Sequence, residues 1–320
     1  MDKGEQLADL EREYQYLFTV FTPTYNRAHT LHRVYDSLKA QTFRDFEWLI
    51  VDDGSTDSTY ELITHWQQEK LFPIRYIYQE NAGKHIAFNR GVREAKSELF
   101  LTLDSDDSCV PEALERFKHH WDGISSHQKI YFAGVTCLCK DKHGQLVGSY
   151  FPSETVDSNY LEIRYKFKVK GEKWDLHYLK VLREFPFPES IKQACIPESL
   201  VWNKFARKYK TRFINEVLRI YWIEGESLAH GGKPSKSAIG NSMMHLSALN
   251  EHLDWLPFAP LAFFRSAVHY SRFSFHLGDS IFQQFKSVRT SLGKVLWLAN
   301  FPLGYLVYLK DRISVILLKL

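Results

Sequence analysis

The chain has 320 residues, 44% of them hydrophobic, with a formal net charge of +3 and four cysteines. That length holds one α/β domain and an appendage, and so small a net charge gives no pull toward nucleic acid. Cys109, Cys137, Cys139 and Cys195 follow no disulfide or zinc spacing, which points to a reducing compartment. Residues 1–15 are polar and read as an extension, not as a secretory leader, so the expected location is the cytoplasm. Residues 18–21 form a short apolar strand, broken by Thr22-Pro23-Thr24-Tyr25-Asn26-Arg27. From about 30 to 40, Leu31, Val34, Tyr35 and Leu38 recur at helical spacing. Residues 46–51 predict a second strand, ending in Asp52-Asp53-Gly54-Ser55-Thr56-Asp57, and 58–68 a second helix. Residues 74–78 are a third strand, followed by Glu80-Asn81-Ala82-Gly83-Lys84 and a third helix over 86–95. Residues 99–103, apolar but for Thr102, are a fourth strand. Strands alternating with helices at these lengths predict a mostly parallel sheet covered on both faces. Each strand ends in polar or Gly-rich residues, so the loops would gather along one edge.

Asp104-Ser105-Asp106-Asp107 follows the fourth strand. Open α/β sheets bind ligands beyond the carboxyl ends of their strands. Two carboxylates two residues apart can converge there on one hard divalent cation, which takes oxygen ligands and keeps positions open for substrate phosphates. The plainer alternative is an acidic turn, with Asp107 or Ser108 capping a helix that begins near Pro111.

Taken in order, these motifs resemble the catalytic domain of glycosyltransferase family 2. They are Thr22–Arg27, Gln41-Thr42-Phe43-Arg44-Asp45-Phe46-Glu47, Val51–Asp57, Asn81-Ala82-Gly83-Lys84, Ala87-Phe88-Asn89-Arg90-Gly91 and Leu103–Asp107, covering about residues 16 to 120. The resemblance implies an α/β GT-A (Rossmann-like) fold: a mixed, mostly parallel sheet flanked by helices, with a C-terminal helical appendage. It implies a nucleotide-diphosphate sugar as donor, a UDP-sugar favoured, and Mn²⁺ or Mg²⁺ as cofactor. It places Pro23, Thr24, Tyr25 and Arg27 in the nucleotide-sugar site, with Thr24 and Tyr25 bordering the base. Asp53 would accept from the base N–H, Asp52 would support that loop, and Lys84 would lie near the diphosphate. Ser105 would belong to the same nucleotide-sugar site, Asp104 would face the ribose or the metal, and Asp106 would bind the metal directly. Read without the family, Tyr25 is a packed aromatic, Lys84 a solvated charge and Asp53 a turn residue before Gly54.

Residues 130–138 and 146–151 read as two strands around a turn at Asp141-Lys142-His143-Gly144, and 176–184 as a helix. Trp174 is a sugar platform or a core aromatic. Pro197-Glu198 fits a helix start, where the dipole favours a carboxylate. The resemblance makes Glu198 the catalytic base, with Glu189 as second choice. Residues 213–221 predict a strand followed by the polar loop 224–232, where the resemblance makes His230 the candidate to complete the metal or diphosphate site; read without it, His230 is a solvated histidine. Lys233 and Lys236 could help hold phosphates.

The domains expected are an extension over 1–15, a GT-A domain over 16–235 (donor half 16–120, acceptor half 121–235) and a helical, basic-apolar region over 236–320. Residues 256–320 hold eight Lys or Arg against Asp279 and Asp311, among aromatic and aliphatic residues. Such a tail reads as an element peripheral to the inner face of the cell membrane. Its longest uncharged run, 295–309, is 15 residues, short for a span. The alternative is a hairpin packed on the catalytic domain or on a second subunit, as in a homodimer. The expected acceptor is a saccharide or lipid-linked saccharide in surface-polysaccharide synthesis. The rival of another class is a non-catalytic nucleotide-sugar-binding or scaffold subunit. A nucleotidyltransferase would want a Gly-rich, basic loop after the first strand, which 22–27 lacks.

Overall fold

The computed structural model of the protein describes residues 14–222, 234, 235 and 237–317. These divide into two units. One takes in the described residues up to Ser158 with Gly171–Glu189 and Lys208–Trp222; the other takes in Asn159–Lys170, Ser190–Arg207 and the described residues from 234 onward.

The first unit opens with β1 (Tyr16–Thr24), α1 (Ala28–Lys39), β2 (Phe46–Asp52), α2 (Thr59–Glu69), β3 (Ile74–Tyr78), α3 (Lys84–Glu94) and β4 (Ser97–Thr102). These four strands are parallel, in the order β3-β2-β1-β4. All seven residues of β2 are buried, as a strand covered on both faces requires. On one face, Leu31, Val34, Leu38 and Trp66 pack against Phe18, Val20 and Trp48. On the other, the Phe88 ring of α3 meets Phe21 and Phe100 edge to face, with centroids 5.8 and 5.5 Å apart. Because the chain leaves β1 once toward β2 and later returns to its other side as β4, a crevice opens at the carboxyl ends of β1 and β4.

Then come β5 (Ser108–Cys109), α4 (Ala113–Asp122), the single turn α5 (Ser126–Lys129), β6 (Phe132–Asp141), β7 (Thr155–Ser158), α6 (Tyr160–Tyr165, second unit), β8 (Lys173–Tyr178), α7 (Leu179–Glu184), α8 (Ser199–Phe205, second unit) and β9 (Lys210–Tyr221). The sheet continues from β4 through β8, β6, β9 and β5, with β7 on β9; β8 is antiparallel to β4 and β6, while β6 and β9 run parallel. Two expectations are corrected here and one open alternative is decided. Residues 146–151 form no strand beyond a single bridge from Leu146 to Lys140. The helix expected over 176–184 begins only at Leu179, because Trp174, Leu176 and Tyr178 alternate with polar residues as strand β8. Trp174 is 1% exposed and donates its indole N–H to the Thr102 carbonyl, so it is a core aromatic and no sugar platform.

In the second unit, α9 (Ala238–Glu251), a 3₁₀ turn (Leu253–Trp255), α10 (Pro260–Leu277), α11 (Ile281–Ser287) and α12 (Ser291–Leu317) follow. Phe263 and Leu296 share a core with Leu161, Tyr165 and Ala248 of α6 and α9, and Tyr270 and Trp297 share another with Leu249 and Val288. Within α12, Ser291–Ser314 is long and apolar enough to cross a membrane by length and composition, with 22% of its apolar window buried.

Candidate active site

Residues from β1, β2, α3, β4 and β9 meet at the crevice. β1 and β2 end in register, Thr24 opposite Asp52. Asp52 is 1% exposed; its Oδ1 accepts from the Ser55 N–H at 2.8 Å and its Oδ2 from the Tyr76 hydroxyl at 2.7 Å. Both oxygens are thereby committed to shaping the loop after β2. Asp53 turns the other way. Its carboxylate accepts from Gln79 Nε2 at 2.7 Å and from the backbone N–H groups of Ala82 and Gly83 at 2.9 and 2.8 Å, tying down residues 79–83. Gly54 follows at φ +91°, and a Cβ there would lie 2.9 Å from the Asn81 nitrogen, so only glycine lets the two loops approach. Thr24 Oγ1 is buried with no hydrogen-bond partner among the described residues. Pro23 is buried in β1, and Tyr25 is half exposed. Asn26 binds across to Ser55 and Thr56, and Arg27 precedes α1.

The acidic loop after β4 is held from both sides. Thr30 of α1 donates to the Ser105 carbonyl at 2.9 Å and Arg33 to the Asp106 carbonyl at 3.2 Å. Lys84, the first residue of α3, pairs with Asp104 Oδ1 at 2.8 Å, and Arg219 of β9 donates to Asp104 Oδ2 at 3.2 Å. Burial works against ionising Asp104, but Lys84 and Arg219 outweigh it and hold the carboxyl down to about 2. Asp107 is fully buried; its Oδ2 accepts from Arg219 Nε at 2.8 Å and from Arg219 Nη2, and its Oδ1 from the Trp222 N–H at 2.8 Å. The Trp222 ring in turn lies under the Arg33 guanidinium, 4.2 Å from its centroid. Asp107 therefore staples the loop to the end of β9 and caps nothing. α4 begins at Ala113 behind Glu112, without a side-chain cap, which corrects the start expected near Pro111.

Asp106 differs from both neighbours. Its carboxylate accepts nothing from any other described residue, and burial, then the Asp104 charge, push its acid above the usual carboxylate range. A cation beside it would relieve both penalties. Among the described residues no group of three His, Cys, Asp or Glu side chains surrounds the position. The Asp104 and Asp106 carboxylates are hard oxygen donors of the kind that suit a divalent ion whose other positions are filled by phosphate oxygens and water.

The structure brings Pro23, Thr24, Tyr25, Arg27, Asp52, Asp53, Lys84 and Asp104–Asp106 together in one unit. Glu198 belongs to the other unit, as the residue before α8; its carbonyl accepts from Val201 and Trp202 N–H groups. Glu189 accepts from Asn89 Nδ2 at 2.9 Å and Arg93 at 2.5 Å, and Arg93 above all holds its carboxyl below the usual range. His230, Lys233 and Lys236 lie outside the described residues. Sequence reasoning missed Arg219, Trp222 and Arg33. Arg219 carried a signal: a lone arginine between Leu218 and Ile220 in an apolar strand needs a buried acid.

Residues 19–171 match the family described as glycosyl transferase family 2. This chain carries a glycosyltransferase family 2 domain. An uncharacterised glycosyltransferase of Nostoc sp. is 37% identical over 123 residues, 35% of this chain and 38% of that protein. Validoxylamine A glucosyltransferase of Streptomyces hygroscopicus subsp. jinggangensis is 37% identical over 103 residues, 31% of this chain and 24% of its own. The chain thus spans well under half the length of these relatives. Among solved structures, S. aureus TarS in complex with UDP-GlcNAc superposes at a TM-score of 0.56 and 18% identity, over 89% of this chain and 79% of its own. The mannosyltransferase PcManGT from Pyrobaculum calidifontis, in complex with GDP-Man and Mn²⁺, does so at 0.56 and 14%, over 97% and 94%. At such identities the likeness establishes the fold, and the family 2 domain has the GT-A architecture expected of it.

Proposed function

We propose that this protein is an inverting, metal-dependent glycosyltransferase. It moves a sugar from a nucleotide-diphosphate sugar, a UDP-sugar favoured, to a hydroxyl of a saccharide or lipid-linked saccharide in surface-polysaccharide synthesis at the inner face of the cell membrane. The observation that carries this reading is the Asp106 carboxylate, which accepts nothing from any other described residue, beside the Lys84–Asp104 pair at the strand-order reversal of a family 2 domain. The UDP-GlcNAc and GDP-Man complexes of the two structural neighbours support the donor class, and the Mn²⁺ of one supports the metal.

In this reading Thr24 Oγ1 and the loop anchored by Asp53 meet the base, and Asp104 and Ser105 the ribose. Asp106, with Asp104, would hold Mn²⁺ or Mg²⁺, which supplies charge neutralisation to the diphosphate. The acceptor oxygen attacks the anomeric carbon as the bond to the diphosphate breaks, inverting that centre. Glu198 takes the hydroxyl proton. Negative charge develops on the leaving diphosphate, and Lys84 offsets it as a point charge. His230 remains the candidate third metal ligand. The test is donor hydrolysis over a panel of UDP-, GDP- and dTDP-sugars with and without Mn²⁺. Turnover of one donor class that needs the metal supports the reading. Nucleotide binding without turnover of any donor would favour a non-catalytic binding subunit.

A further inference from the structure

The outward faces of α10, α11 and α12 reverse the usual order of a soluble helix bundle. Leu292, Val295, Pro302, Leu306 and Ile313 recur along one side of α12, and all are exposed, Val295 at 61% and Leu306 at 60%. A helix packed on a soluble core carries polar residues on that side. Leu261 and Phe282, exposed at 72% and 73%, extend the apolar surface onto α10 and α11. An open groove lined by Phe275, Ile281, Phe301, Pro302, Tyr305 and Leu306 runs through it. Exposed apolar surface of this extent marks an interaction site.

We propose that this face is a monotopic docking surface for an anionic lipid bilayer, with α12 lying along the interface while it stays packed on α10. The inference rests on the membrane placement proposed above and names the face that makes the contact; it does not depend on the transfer reaction. Charge decides for lipid over a second copy of the chain. Arg265, Lys286, Lys310 and Arg312 are exposed on these helices, and Arg289, between α11 and α12, is exposed and pairs with Glu251 at 3.5 Å. From 256 to 317 the acids are Asp279 and Asp311, and Asp311 is taken up by Arg272. Two such cationic faces would repel, whereas an anionic leaflet attracts.

Three features hold α12 on α10 and argue against a solitary span. Arg272 Nε and Nη2 donate to the Asp311 carboxylate at 2.6 and 2.9 Å, and His276 Nε2 lies 3.0 Å from it. At Gly304 a Cβ would lie 2.5 Å from the Val268 carbonyl oxygen, so the two backbones touch where no side chain fits. Trp297 is 1% exposed. A crossing helix would give up all three.

The experiment is co-sedimentation of the full chain with vesicles of phosphatidylcholine plus phosphatidylglycerol, and of phosphatidylcholine alone, at low and high salt. The comparison is with Val295→Glu/Leu306→Glu, whose sites are exposed enough to leave the fold intact, checked by circular dichroism and UDP binding. The wild type should sediment with the anionic vesicles, less so at high salt, and the double variant should partition roughly a hundredfold less. Wild type that stays in the supernatant with anionic vesicles overturns the membrane placement and this surface together. Equal sedimentation of the variant overturns the surface alone and leaves the membrane placement standing. A wild-type dimer that the variant splits, without vesicle binding, assigns the face to self-association and overturns the proposal. Donor turnover, measured separately, is untouched by any of these outcomes.

Discussion

Replacing Arg219 by methionine should be the most damaging single change to the acidic loop that leaves every proposed ligand itself in place. Methionine keeps the unbranched apolar stem but removes every donor. Asp107, fully buried, then loses its Arg219 contacts and keeps the Trp222 N–H, while Asp104 keeps Lys84 at 2.8 Å. Removing one partner of a buried pair leaves an uncompensated charge and costs about 3–5 kcal/mol. Arg219→Lys should cost nearly as much, since one ammonium reproduces neither the fork to Asp107 nor the bond to Asp104. Adding Asp107→Asn to Arg219→Met should recover part of the loss, because an amide oxygen still accepts from Trp222 without a charge to bury. Urea denaturation followed by tryptophan fluorescence measures all three. If Arg219→Met costs less than about 1 kcal/mol, the pair is not the staple of this loop.

Glu198→Gln should keep nucleotide affinity and lose transfer, because an amide cannot accept the acceptor proton at neutral pH; a rate within about threefold of wild type would reject Glu198 as the base. Asp53→Ala frees Gln79, Ala82 and Gly83, and should cost about 2–4 kcal/mol and most of the UDP affinity. Unchanged UDP titration would show that residues 79–83 do not shape the site. Glu216 is held down to about 2, by Arg116 first and also by His120. Its folded value lies below the unfolded one of about 4.3, so its contribution is present above that pH and fades as pH falls toward 2. The stability gap between wild type and Glu216→Gln, followed by thermal melts across that range, should close on acidification; a gap that widens contradicts the assignment.

The first half of the fold was legible because its signals are local. β2 reads as an apolar run interrupted only by Glu47 before its closing Asp52, and α1 shows its inner face at Leu31, Val34, Tyr35 and Leu38. Past residue 104 the elements depend on long-range pairing. β5 is two residues long and exists because Ser108 and Cys109 pair with Ile220 and Arg219. The end of β8 reads as helix in the sequence because Leu176–Glu184 also satisfies a helical pattern; its place between β4 and β6 decides otherwise. The acidic loop was legible as a site, but the division of labour within it was not. Which of Asp104, Asp106 and Asp107 is committed depends on Arg219, more than a hundred residues downstream.

The most direct test is calorimetric titration of the protein with UDP in the presence and absence of Mn²⁺, for wild type and Asp106→Ala. Asp106 has no partner to lose among the described residues, so the variant should fold as the wild type does. The account predicts that Mn²⁺ strengthens UDP binding to the wild type and does nothing for the variant. Mn²⁺-dependent affinity that survives in Asp106→Ala would place the metal elsewhere and contradict the assignment of this crevice.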